Sequence, residues 1–372
     1  MSYLQPCPCT IPSLLQPITN VNNSPRIWTS LLASFIHRIA APPTNSNGIL
    51  RIINSMASST SSLSFLQLYQ SFPADFTRGI RPISCHSHND YWRHVPLLDA
   101  ISVGCTSVEA DIWASGHSSQ TSNKSELYVG HHTGALTSER TLRQLYLNPL
   151  EYILDEVNRN NQNNNKSNQS TVQRVGVFDT SPNTTLVLLL DFKNSAPKTD
   201  IWNTVQEHLR PLREKKYLTY WNETSKKRVL GPVTVVGTGA APFDMIRDPK
   251  SNSHRDIFFD APLNKLNSTA APLFTSANSY YASVTLSEAV GKVWFGLTRS
   301  QLITIEKQVK MAEEKGLLSR YWDTPAWPLN VRNGVWKQLI QKSVGVLNVD
   351  ELWTVSTRDW RLCWGMGWGI CA

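Results

Sequence analysis

No apolar run in the 372 residues reaches the ~18–20 positions that a membrane-spanning helix needs. No acidic residue occurs before Asp75, which sets positions 1–74 apart from the rest. The six cysteines are scattered as Cys7, Cys9, Cys85, Cys105, Cys363 and Cys371. None has the paired spacing of a zinc site. Cys85 and Cys105 lie in apolar runs and read as core residues. Cys363 and Cys371 are placed to close a small loop in an oxidising compartment. No Lys/Arg cluster is interleaved with aromatics, so nucleic acid is not an expected partner.

The hydrophobic content of 41% is that of a globular chain, and the length suits one large α/β domain. A net charge of +8 favours anionic substrates and contact with a membrane surface. Residues 1–74 carry Arg26, Arg38 and Arg51, many Ser, Thr, Asn and Pro, and one apolar stretch, Ile27–Ala41. They read as a leader, with Met56 as an alternative internal start. The apolar stretch, the Cys363/Cys371 pair and N-x-[ST] sequons at Asn123, Asn165, Asn168, Asn183, Asn222 and Asn267 favour the secretory route. The secretory route is the expectation because three separate features agree; the acid-free, Arg-bearing composition makes mitochondrial import the alternative.

From residue 75 onward, short apolar runs alternate with helical spacing. Arg81–Cys85 reads as a strand ending at His86-Ser87-His88-Asn89-Asp90. Val95–Val103 reads as a helix stopped by Gly104. Cys105–Asp111 is a buried strand carrying Glu109 and Asp111, and Leu127–Gly130 is a short extra strand leading to His131 and His132. Leu142–Val157 and Ile201–Leu212 have helical spacing, while the Asn/Gln/Ser tract Asn158–Ser170 reads as a surface loop. Thr185–Leu190 is a strand ending at Asp191-Phe192-Lys193, and further strands are expected at Val233–Val236, Ile257–Phe259, Tyr280–Val284, Leu317–Trp322 and Val344–Asn348. About eight buried strands with intervening helices predict a (β/α)8 TIM barrel over residues 75–372, with chemistry at the strand C-terminal ends.

His88 and His131 each follow a separate strand, with an acidic pair between them. Two histidines at one barrel mouth suit general acid–base catalysis. Glu109 and Asp111, two apart on a strand, face the same side and repel unless a cation lies between them. Asp191 adds a third carboxylate and Asn89 a neutral oxygen. An all-oxygen set suits one divalent cation, Mg²⁺ or Ca²⁺, rather than Zn²⁺. Lys193, His86 and Asp90 are candidate substrate contacts. The bland alternative is that Glu109 and Asp111 make only salt bridges at the barrel end. His86-Ser87-His88 is also the H-x-H that opens metal-dependent amidohydrolase and phosphoesterase barrels, but the later strands supply no further histidines.

The SHNDY segment around His88-Asn89 resembles the SHNTY stretch of eukaryotic phosphoinositide-specific phospholipases C. VEADIW resembles their V-E-x-D strand, and GHHTGALTS resembles the segment with their second catalytic histidine. Asp191-Phe192-Lys193 resembles the E-x-K of glycerophosphodiester phosphodiesterases, although those enzymes have Arg-Gly where this chain has Asn89-Asp90. Residues 80–352, with RYWDTP at 320–325 and GVLNVDEL at 345–352, resemble the fungal altered inheritance of mitochondria protein 6 family of the phospholipase C-like phosphodiesterase superfamily. The resemblance implies a metal-dependent phosphoric diester hydrolase acting on a phospholipid or glycerophosphodiester. It makes His88 and His131 the acid/base pair, with His86 the competing first-strand histidine. Asn89, Glu109, Asp111 and Asp191 become the metal ligands. A catalytically silent barrel that binds a lipid or partner at the same mouth is the alternative from another class.

Overall fold

A computed structural model describes residues 76–114, 126–164, 174–193, 196–269 and 271–356. The leader, Cys363, Cys371 and the sequons at Asn123, Asn165 and Asn168 lie outside the described residues. The strands are β1 Ile83–Ser87, β2 Cys105–Ala114, β3 Leu127–Val129, β4 Leu186–Phe192, β5 Tyr220–Asn222, β6 Lys227–Val229, β7 Val233–Gly239, β8 Ile257–Pro262, β9 Ser279–Thr285, β10 Leu318–Trp322 and β11 Val346–Val349. Eight of them pair in parallel in the order β1-β2-β4-β7-β8-β9-β10-β11, and β11 pairs back with β1. The sheet is thus a closed barrel, as the alternation of strand and helix predicts. β3 is the extra strand, antiparallel to the end of β2, and β5–β6 is a separate hairpin.

The helices are α1 Leu98–Ser102, α2 Asn148–Asn164, α3 Lys198–Glu214, α4 Phe243–Arg247, α5 Leu286–Val290, α6 Arg299–Glu314, α7 Leu329–Gln341 and α8 Leu352–Ser356. α6 starts at a capping box between Thr298 and Gln301, which satisfies two otherwise orphaned N–H groups. Among the described residues no helix is long and apolar enough to cross a membrane.

The two-residue period of the strands sets what faces where. On β4, Leu186, Leu188, Leu190 and Phe192 join the apolar layer between barrel and helices. Val187 and Leu189 join the barrel interior with Val236, Phe258, Tyr281 and Val346. Asp191 continues that inward set. On β2, Val108, Ala110 and Ile112 pack outward, leaving Ser107, Glu109 and Asp111 inward. A strand buried on both faces needs such a continuous apolar run, which is why LVLLLDF is legible as one.

Three expectations need correction. Cys85 and Cys105 are buried, but they are also bonded to each other, because β1 and β2 are neighbours and both side chains face the helix layer. The Asn158–Ser170 tract is not all loop, since α2 runs on to Asn164. Asn158 is buried, donating to Leu154 O at 2.8 Å and Val175 O at 3.0 Å and accepting from Val175 N at 2.9 Å. Those bonds hold a polar residue inside a helix that composition alone reads as a coil. β2 also runs three residues past Asp111 to pair with β3, so its carboxylates lie within the strand rather than at its end.

Candidate active site

Because all eight barrel strands are parallel, their C-terminal ends open on one mouth. Asp111 of β2 is the register partner of Asp191 of β4, and neighbours in register face the same way. Glu109 lies one inward position deeper. Carboxylate oxygens of Glu109, Asp111 and Asp191 all lie within 4.8 Å of one another. The close packing extends to the backbone: Gly239 has φ +64°, and a Cβ there would sit 1.8 Å from Asp191 Oδ1. Only glycine fits beside that carboxylate.

Burial pushes the pKa of Asp111 up, with Asp191 and Glu109 adding repulsion and Lys193 opposing it. Burial likewise raises Asp191. Glu109 is different: burial would raise it, but His86 and Arg320 beside it outweigh that and hold it well below the usual range. The Lys193 ammonium stands 2.9 Å from Asp111 Oδ2 and 2.5 Å from Asp191 Oδ2. Its pKa rises because those two carboxylates outweigh burial. Lys193 is therefore committed to the acidic pair rather than reaching out for an anion.

The loop after β1 brings the next groups. Asn89 takes a left-handed backbone (φ 49°), and its N–H donates to Glu109 Oε2 at 3.0 Å. The Tyr91 hydroxyl lies 2.5 Å from Asn89 Oδ1, 2.8 Å from Asp111 Oδ2 and 3.1 Å from His131 Nδ1. One hydroxyl proton cannot satisfy both oxygens. Three carboxylates and an amide oxygen, with Lys193 bridging two of the carboxylates, are an all-oxygen donor set of the kind a hard cation takes.

His88 Nδ1 lies 2.6 Å from Asp350 Oδ1, and its Nε2 lies 3.7 Å from Glu109 Oε2. Burial works against protonating His88, but the Asp350 hydrogen bond and the Glu109 charge outweigh it and raise its pKa. His131 is half exposed, with Nδ1 3.4 Å from Asp111 Oδ2 and its ring 5.0 Å from that of Trp92. The two histidines thus flank the carboxylates from β1 and β3.

His86 sits deeper, fully buried inside the barrel, with Nδ1 2.7 Å from Ser107 Oγ. Burial and the Arg320 charge lower its pKa to about 4. Its Nε2 has no hydrogen-bond partner, Glu109 Oε2 being 3.6 Å away. Asp90 turns away from the mouth altogether. It is fully buried and accepts from Ser87 Oγ at 2.7 Å, Leu97 N at 2.6 Å and Tyr146 Oη at 3.1 Å. Those partners make it the brace of the β1 loop rather than a substrate contact, and burial pushes its pKa up to about 6.

Sequence reasoning missed several members. Buried Arg320 of β10 donates to Asn348 Oδ1 at 3.0 Å and Asp260 Oδ2 at 3.4 Å, and lies 3.8 Å from Glu109 Oε1. Arg93 donates to His88 O at 3.1 Å and Val349 O at 3.3 Å, tying the β1 loop to the end of β11. The signal was present: Arg320 opens RYWDTP, and Asp350 follows the apolar run of GVLNVDEL as His88 follows that of β1.

A family model for the AIM6-like phosphodiesterase domain matches residues 74–260. The altered inheritance of mitochondria protein 6 homolog of Arthroderma benhamiae is 41% identical over 291 residues, covering 76% of this chain and 85% of that relative. The chain belongs to the altered inheritance of mitochondria protein 6 family. The member from Eremothecium gossypii is 33% identical over 301 residues, 77% of this chain and 72% of its own. Among solved structures, a calcium-dependent phosphoinositol-specific phospholipase C from Pseudomonas covers 74% of this chain and 90% of its own at 11% identity and a TM-score of 0.41. The matched domain is of phosphodiesterase type, and its span 74–260 includes His88, Asn89, Glu109, Asp111, His131 and Asp191. Arg320 on β10 and Asp350 just past β11 lie beyond that span. The family name carries a mitochondrial link, a hint toward the mitochondrial alternative rather than the secretory route.

Proposed function

We propose that this member of the family is a metal-dependent phosphoric diester hydrolase acting on a phospholipid or glycerophosphodiester by His/His acid–base catalysis. The observation that carries the reading is the cluster of Glu109, Asp111 and Asp191, within 4.8 Å of one another, flanked by His88 and His131 at the open mouth. Asn89, Glu109, Asp111 and Asp191 would hold Mg²⁺ or Ca²⁺, which would supply Lewis acidity toward a phosphodiester oxygen and a neighbouring substrate hydroxyl.

Asp350 takes the Nδ1 proton side of His88 and leaves Nε2 to exchange protons, as in other carboxylate-oriented imidazoles. The Asp350 hydrogen bond and the Glu109 charge raise the His88 pKa against its burial, which strengthens it as a proton acceptor. It removes the proton of the attacking hydroxyl. His131, more exposed and on the opposite flank of the carboxylates, protonates the departing oxygen. Attack by a hydroxyl of the substrate itself gives a cyclic phosphodiester, released or hydrolysed by the same pair in reverse. Arg320 holds Glu109 ionised from below, and Tyr91 fixes Asn89 against Asp111. The mitochondrial link in the relatives' names supports the mitochondrial alternative over the secretory route for this activity.

The test is a substrate panel of glycerophosphodiesters, lysophospholipids, phosphoinositides and sphingomyelin, each offered to the native chain and to His88→Ala and His131→Ala. Turnover of at least one class by the native chain, reduced on the order of 10²-fold or more in both variants, is the expected result. If every class stays intact with Mg²⁺ and Ca²⁺ both supplied, the mouth is a binding site and not a hydrolase.

A further inference from the structure

Scattered exposed hydrophobic side chains need no explanation, but here the aromatic ones are not scattered. Among the described residues the exposed tryptophans are Trp92, Trp294, Trp322, Trp327 and Trp353, joined by Phe295. Trp92 follows β1. Trp294 and Phe295 precede α6 in the connection after β9. Trp322 ends β10, Trp327 precedes α7, and Trp353 lies in α8 after β11. All six therefore stand at the C-terminal end of the barrel, on the consecutive staves β9, β10, β11 and β1. The opposite end exposes Tyr220, Val229, Leu230 and Leu318 but no tryptophan.

Phe295 is 96% exposed, Trp327 79% and Trp294 70%, so these rings contribute little to the fold. The loops that carry them are nonetheless held. Gln338 of α7 donates to Leu297 O at 3.0 Å and accepts from Leu297 N at 2.9 Å, which anchors the Trp294–Phe295 turn. Six exposed aromatic rings on separate loops at one end of the barrel form one aromatic face. Tryptophan pairs an apolar body with a polar N–H and concentrates where hydrocarbon meets water. Lys292 lies 5.8 Å from the Trp294 ring, which puts a cation at the arc itself to meet an anionic headgroup.

We infer that this aromatic arc docks the mouth of the barrel onto a phospholipid bilayer, inserting Trp294, Phe295 and Trp327 at the lipid–water boundary. The inference rests on the functional reading for its working face and names the physical form of the substrate: lipid presented in a bilayer.

Full-length chain is mixed with vesicles of phosphatidylcholine, alone or with phosphatidylserine, in chelator so that binding is read without turnover. Co-sedimentation and a blue shift of tryptophan fluorescence are measured. The native chain is expected to bind, more tightly when phosphatidylserine is present. Replacing Trp294, Phe295 and Trp327 together by alanine is expected to weaken partitioning about tenfold or more with circular dichroism and melting temperature retained. Phe295→Ala alone is expected to weaken it less and serves if the triple variant folds poorly. Tyr220→Ala/Leu230→Ala at the opposite end is expected to bind as the native chain does. Native chain that binds neither vesicle, or a folded rim variant that binds as tightly as native, overturns the inference. Vesicle binding by a chain that hydrolyses no diester leaves it standing while removing the functional reading, so the two fail separately.

Discussion

The 2.6 Å contact between Asp350 Oδ1 and His88 Nδ1 is where one residue bears most on the chemistry proposed for this mouth. Asp350→Asn removes the charge that holds the His88 pKa up, so the base stays neutral at lower pH. The acid limb of the pH–rate profile is expected to move to lower pH, with turnover falling about 10–100-fold. An unmoved limb would show that His88 is not the titrating base. His86 makes a different prediction, about stability. It stays neutral in the folded chain down to about 4, against an ordinary value of 6.5. Between those values the unfolded chain binds the extra proton, so the stabilisation is present above pH 6.5 and is lost as pH falls towards 4, by about 3 kcal/mol. His86→Gln is expected to flatten the fall of melting temperature over that window, and an unchanged slope would contradict it. His88, Glu109, Asp111 and Asp191 were legible in sequence because each is a chemical side chain on or just past an apolar run. Asp90 misled because the β1 turn folds it inward onto Leu97 N and Tyr146, which no local pattern reveals. Arg320 was missed because an inward arginine reads in sequence like any strand-end charge.

At the level of elements, β7 and β4 show how backbone placement serves the site. Gly239 ends β7 where a Cβ would strike Asp191 Oδ1 at 1.8 Å. Gly239→Ala is expected to displace that carboxylate and to destabilise the chain by about 1–2 kcal/mol from its left-handed backbone alone. Calorimetric titration with Ca²⁺ or Mg²⁺ should show weaker binding than in the native chain; equal affinity would mean that Asp191 is not a ligand. The strands themselves were readable, since a parallel strand buried on both faces must be an apolar run such as LVLLLDF. The extent of β2 and of α2 was not. β2 is lengthened by β3, a partner brought by pairing rather than by propensity, and in α2 the Asn158 side chain bonds Val175, 17 positions on.

For the whole molecule, closure of the barrel between β1 and β11 is what turns separate strand ends into one site. It brings Asp350 to His88 across 262 positions and Arg320 beneath Glu109. Alternation of strand and helix made the barrel legible; the interior it encloses followed only once the two-residue parity of every strand was fixed in space. If that interior holds a cation, binding it must stabilise the fold. Mg²⁺ or Ca²⁺ at about 100 times its Kd should add about 2.7 kcal/mol and raise the melting temperature by roughly 5 °C, an effect absent from Asp111→Asn/Asp191→Asn. The most direct test is hydrolysis of a phosphodiester by the native chain before chelation, after chelation, and after Mg²⁺ or Ca²⁺ is restored. Turnover that vanishes with chelator and returns with the ion is the predicted result; hydrolysis that continues undiminished in chelator would contradict the assignment of Asn89, Glu109, Asp111 and Asp191 as the ligands of a catalytic cation.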